Sequence, residues 1–129
     1  MKILNLEFEN MVPKSKQHSG GQRGKYRYVK PEYTAWKNEV AIKAKMQAKK
    51  AKWKIPPKNE LLRMNITAVG ASRMDVDNLA GGIMDALIGV IYEDDRQIKS
   101  LTCTTFPKPK DEKKSFYVDV CPFDYLGSD

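Results

Sequence analysis

Polar and apolar residues alternate over residues 2–9, with Leu4, Leu6 and Phe8 on one face and Asn5, Glu7 and Glu9 on the other. This is the period-two pattern of a half-buried strand. From Pro31, a favourable first helical position, to about Ala51 the chain avoids further proline and all glycine, and the period lengthens. Trp36, Val40 and Ala44 recur at helical spacing and leave Lys37, Lys43, Lys45, Lys49 and Lys50 to the other faces. The run IPPK at 55–58 ends that helix. Alternation returns over residues 60–69, where Leu62, Met64, Ile66 and Ala68 share a face.

A second helix is predicted from about Asn78 to Ile88, with Leu79, Ile83 and Leu87 spaced by four and Asp77 as its N-cap. Residues 97–106 and 115–121 read as two more strands, joined by PKPKDEKK as an exposed hairpin loop. Residues 10–30 hold Pro13, Gly20, Gly21 and Gly24 among basic side chains and two tyrosines, Tyr26 and Tyr28, and read as a flexible basic loop. The order β-α-β-α-β-β predicts an α+β fold: a single domain over residues 1–129 with one mixed sheet and two main helices packed on it.

Charge changes this picture. The formal net charge is +7, but residues 1–54 carry a net +10 and residues 55–129 a net −3. Such asymmetry points to a polyanionic partner, because clustered lysines gain affinity for phosphates by releasing counterions. Lys14, Lys16, Arg23, Lys25 and Arg27 in the basic loop, with Arg73 further on, are the candidate contacts to such a polyanion. Several chemistries are excluded. His18 is the single histidine, which argues against a histidine zinc site or a Ser-His-Asp arrangement, and no glycine-rich nucleotide-binding motif is present. Cys103 and Cys121 stand apart in strand-like segments and fit reduced core thiols. No apolar run approaches the roughly 18 residues of a membrane span, so a cytoplasmic protein is expected.

Against the basic background, six carboxylates and no lysine fall between Asp75 and Asp95. If the stretch before the second helix is extended, Asp75 and Asp77 point the same way with Cα atoms about 6.6 Å apart, twice the strand rise. Asp85 leans back over Gly81 and Gly82, and Glu93, Asp94 and Asp95 follow at the entrance to the next strand. Taken singly these acids fit ordinary roles as an N-cap, an exposed helix residue and a polar turn. Taken together they repel one another unless a cation neutralises them. Oxygen ligands without histidine or thiolate favour Mg²⁺, or Mn²⁺, and the corresponding chemistry is phosphodiester hydrolysis.

The run D-x-D-N-L, then D-A-L, then E-D-D-x-Q-I, within about residues 72–99, resembles the RusA family of Holliday junction endodeoxyribonucleases. The resemblance implies a homodimeric, Mg²⁺-dependent nuclease of bacterial or phage origin that nicks two strands of a four-way junction symmetrically. Carried over by motif, its catalytic acids fall on Asp75, Asp77 and Asp95, with Asp94 beside the last in the metal set and Asn78 and Asp85 in supporting roles. Family members often carry a lysine four residues after the second Asp of D-x-D, where this chain has Gly81. Nucleases of flaps or forks, and a DNA-binding protein that has lost catalysis, are the alternative readings.

Overall fold

The computed structural model describes residues 3–15, 20–23, 26–29 and 31–124. Its main sheet has four strands, β1 (Leu4–Glu9), β4 (Leu62–Val69), β5 (Ile98–Phe106) and β6 (Ser115–Pro122), in the order β1-β6-β4-β5. The pair β4–β5 is parallel and the other two are antiparallel, so the sheet is mixed as expected. Helices α1 (Pro31–Lys50) and α2 (Val76–Leu87) complete the domain core.

The alternation seen in the sequence is the alternation of burial. Leu4, Leu6 and Phe8 of β1, Leu62, Met64, Ile66 and Ala68 of β4, and Phe116, Val118 and Val120 of β6 all lie in the core. Phe8 faces Phe116 across the β1–β6 register, and their rings stack with centroids 4.5 Å apart. The helical stripe of α1 is Tyr33, Trp36, Val40, Ala44 and Ala48, and that of α2 is Leu79, Ala80, Ile83, Ala86 and Leu87. Burying a large aliphatic or aromatic side chain contributes about 1.5–3 kcal/mol, so these two stripes hold the helices to the sheet. The outer edge of β1 is closed by a side chain. The Gln47 amide donates to the Glu7 carbonyl and accepts from the Glu7 N–H, both at 2.8 Å.

Three expectations are corrected. The basic stretch at 10–30 contains a two-stranded antiparallel ribbon, β2 (Gly20–Arg23) with β3 (Tyr26–Val29), so backbone pairing occurs within a segment that composition alone marks as loop. The last two strands do not form a hairpin. β6 inserts between β1 and β4 because its Phe116, Val118 and Val120 need cover from both neighbours, and the exposed 107–114 segment is a crossover. The second helix begins at Val76, which makes Asp75 rather than Asp77 its N-cap. Both cysteines are free thiols, as expected. Cys103 packs against the core and Cys121 is half-buried beside Arg63 of β4.

Candidate functional site

Asp75 has an extended backbone (φ −68°, ψ 138°) at the head of α2, but its side chain makes no capping hydrogen bond. Asp77 lies in the first turn, so the two do not share an extended segment. Both are exposed, and neither carboxylate has a hydrogen bond or ion pair among the described residues. Asn78 follows, half-buried. Asp77, Gly81 and Asp85 fall at intervals of four and form one stripe along α2. Gly82 is buried, consistent with close packing, while Gly81 is half-buried on the acidic stripe.

Asp85 is tied to α1. Its carboxylate accepts a hydrogen bond from the Tyr33 hydroxyl at 2.9 Å and pairs with Lys37 Nζ at 3.2 Å, and the same ammonium lies 5.3 Å from the centre of the Tyr33 ring. Burial first, and then the hydrogen bond and charge of Asp85, push the Tyr33 phenol well above its usual range. Sequence reasoning left Lys37 to the faces outside the apolar stripe and missed this clasp. The partners are 52 positions apart for Tyr33 and Asp85, and only the packing of α1 on α2 brings them together.

Beyond α2, Tyr92 is buried and its hydroxyl donates to the Met84 carbonyl at 2.6 Å. Its phenol is raised well above the usual range, chiefly by burial, then by the charge of Asp95 and, less, of Asp85. Asp95 and Asp85 therefore both lie within electrostatic reach of one hydroxyl. The chain thus brings its second acidic group within electrostatic reach of the third turn of α2. Tyr92 was also missed, though it directly precedes the acidic run.

The acidic turn itself is a single 3₁₀ turn, Asp95–Gln97. Asp94 caps it by accepting from the Arg96 N–H at 2.9 Å, and its carboxylate also takes the Arg96 guanidinium, with Nη2 at 2.8 Å and Nε at 3.1 and 3.2 Å. These hydrogen bonds from Arg96 hold the Asp94 carboxyl well below the usual carboxylate range. The residue expected beside Asp95 as a metal ligand is thus already engaged, whereas Asp95 is half-buried and forms no ion pair among the described residues.

Gln97 is buried and completes the turn. Its Oε1 accepts from the N–H groups of Glu93 and Asp94 at 2.9 and 3.0 Å, and its Nε2 donates to the carbonyls of Pro57 and Glu60, both at 2.9 Å. A motif letter without an assigned role is therefore the staple between the 56–60 segment and the acidic turn.

Among the described residues no three His, Cys, Asp or Glu side chains converge on one point as a metal-holding group. Of the expected DNA contacts, Lys14 and Arg73 are exposed, the latter two positions before Asp75. Arg23 and Arg27 lie on β2 and β3, where the backbone alone is described, and Lys16 and Lys25 lie outside the described residues. No described helix is long and apolar enough to cross a membrane.

A comparison with curated proteins finds no match. The family model of the endodeoxyribonuclease RusA matches residues 10–120, from the end of β1 into β6 and across the whole Asp75–Asp95 acidic segment. The chain belongs to the RusA endodeoxyribonuclease family.

Proposed function

From that membership we propose that the protein resolves four-way DNA junctions, as a homodimer, by Mg²⁺-dependent hydrolysis of one phosphodiester in each of two strands, with Mn²⁺ as a substitute ion. The observation that carries the reading is the family match over residues 10–120, within which Asp75 and Asp77 stand exposed at the head of a helix and unpaired among the described residues. Their donor type fits the ion: hard carboxylate oxygens with no cation paired to them among the described residues. Asp75, Asp77 and Asp95 would hold the ion, which when bound polarises a phosphoryl oxygen, lowers the pKa of a water and offsets charge on the leaving oxygen.

The chain's own residues do the rest. The start of α2 places Asp75 at the N-cap and Asp77 in the first turn, so one short segment presents both carboxylates. The Tyr33–Asp85–Lys37 clasp fixes α2 on α1, and with it the stripe that carries Asp77. Asp94 is assigned to orienting Arg96 and capping the turn, which sets the position of Asp95. The basic first half and Arg73 attract the DNA backbone, and phosphate contacts of this kind position a substrate without reading its sequence. A symmetric junction requires two cuts and each chain has one set of these acids, so a two-fold dimer supplies the second.

Cleavage of a fixed-sequence four-way junction in Mg²⁺ and in EDTA tests the proposal, with flap, fork and plain duplex as parallel substrates. Paired nicks confined to the junction and abolished by EDTA are expected. Preferential cutting of flaps or forks would move the substrate class. Binding with no cutting in Mg²⁺ or Mn²⁺ would leave a DNA-binding protein without catalysis, the reading that Gly81 on the acidic stripe favours.

A further inference from the structure

Beside the acidic turn, and outside the residues proposed for metal, lies a shallow depression of about 300 Å³ lined by Lys58, Leu61, Asp94, Arg96, Gln97 and Lys99. Three of its six lining side chains are cations and one is a carboxylate, in a half of the chain whose net charge is −3. Each cation arrives by a different structural device, and none of the three is explained by the core.

Lys58 belongs to the segment that Gln97 staples through the Pro57 and Glu60 carbonyls, so its backbone is fixed against the turn. Lys99 is the extra residue of an irregularity in the β4–β5 ladder. Leu62 pairs with Ile98 and Arg63 with Ser100, leaving Lys99 opposite no partner. Bulges of this kind re-aim a side chain and recur next to active sites. Arg96 is held by Asp94 through its Nε and Nη2 edge, so the Nη1 edge of its five-donor fork stays available, and the side chain is 84% exposed. Among the described residues Lys58 and Lys99 are exposed and form no ion pair. Three cations thus converge, with two of them uncompensated, next to Asp95.

We infer that Lys58, Arg96 and Lys99 form a phosphate-contact subsite that holds the DNA backbone beside the Asp94–Asp95 turn. The inference rests on the nuclease reading and adds to it a second group of basic residues, outside the 10–30 segment in sequence. The subsite contacts backbone oxygens, so it acts on junction and duplex alike and carries no sequence preference. Its function is to seat the strand next to Asp95, where surplus negative charge would otherwise repel it.

The test is equilibrium binding of a labelled four-way junction in EDTA over a range of salt concentrations. It compares the wild type with Lys58→Gln/Lys99→Gln and with a control, Lys110→Gln/Lys113→Gln. The control removes the same charge from the exposed 107–114 segment beyond the far end of β5, about 30 Å of strand away. Each neutralised phosphate contributes about 0.9 to the slope of log K against log salt, so the double variant is expected to bind more weakly with a slope shallower by about 1.8. The control is expected to keep the wild-type slope.

A wild-type slope in Lys58→Gln/Lys99→Gln overturns the subsite, and so does an equal loss in the control. Nicking of the junction by the wild type in Mg²⁺ alongside either result leaves the nuclease reading standing. A wild type that binds no branched DNA removes that reading and the subsite with it.

Discussion

Replacing Gln97 with leucine keeps much of the side-chain volume and removes every polar atom of the staple. The structure sets the cost. The N–H groups of Glu93 and Asp94 lose their acceptor, and the carbonyls of Pro57 and Glu60 lose a donor, four contacts at 2.9–3.0 Å around a side chain that is 2% exposed. A net hydrogen bond contributes about 1 kcal/mol, and a buried group left unsatisfied costs about 1–3 kcal/mol. The turn and the 56–60 segment lie near the surface, so water recovers part of the loss, and a destabilisation of about 3 kcal/mol is expected. Against a typical total of about 5–15 kcal/mol that is a large fraction, and it corresponds to a fall in Tm of about 10 °C for a domain of this size. Urea unfolding at neutral pH, followed by far-ultraviolet circular dichroism, measures it. Gln97→Glu serves as a partner variant. It retains an acceptor for the two N–H groups, opposes the Pro57 and Glu60 carbonyls with charge, and should regain stability as the new carboxylate is protonated in acid. A loss below about 1 kcal/mol in Gln97→Leu would show that the staple is replaceable by water and that the turn is held by other contacts.

Asp77→Asn and Asp95→Asn should each abolish junction cleavage while leaving junction binding intact or slightly tighter. Full cleavage by either variant in Mg²⁺ would remove that residue from the catalytic set. Tyr92 bears on pH dependence: a phenol whose folded pKa is raised contributes stability that is fully present below the unfolded value of about 10 and is lost as pH rises toward the folded value, at up to about 1.4 kcal/mol per pH unit. Urea unfolding in EDTA from neutral pH to 11 should therefore show an alkaline fall. Tyr92→Phe should make that fall shallower while costing about 1 kcal/mol at neutral pH for the lost bond to Met84, and an unchanged alkaline slope would contradict the assignment. Gly81→Lys should raise the single-turnover cleavage rate without comparably tightening junction affinity, because it places a cation one turn from both Asp77 and Asp85. An unchanged or lower rate in a folded variant would mean that Lys37 or Arg73 already supplies the charge or that the open space at Gly81 is required.

The local parts of the fold were legible because their periodicity is strong. The alternation in β1 and β4, the stripes of α1 and α2, and the proline stop after α1 all depend on neighbours a few residues apart. What the pattern does not encode is partner choice. The place of β6 between β1 and β4 depends on two pairings with distant residues, and a turn-like PKPKDEKK segment serves a crossover as well as a hairpin. The Gly20–Val29 ribbon escaped because glycine and basic side chains outweigh two short runs of pairing. In the candidate site, the D-x-D and E-D-D acids were visible as residues. Their surroundings were not, since Tyr33, Lys37 and Gln97 reach partners about 40 to 50 positions away.

The side chain that closes β1 also bears on how copies of this chain can meet. A sheet offers two borders for another strand to extend, and an unguarded border invites both ordered assembly and aggregation. At Glu7 the amide of Gln47 already stands where the next strand's peptide group would be, so the border along β1 is interrupted from within the molecule. Among the described residues the other border, at β5, carries no such side-chain guard, and its residues are Ser100, Thr102 and Thr104 on one face and Leu101, Cys103 and Thr105 on the other. Any growth of the sheet across copies is thereby steered away from β1 and toward the β5 border.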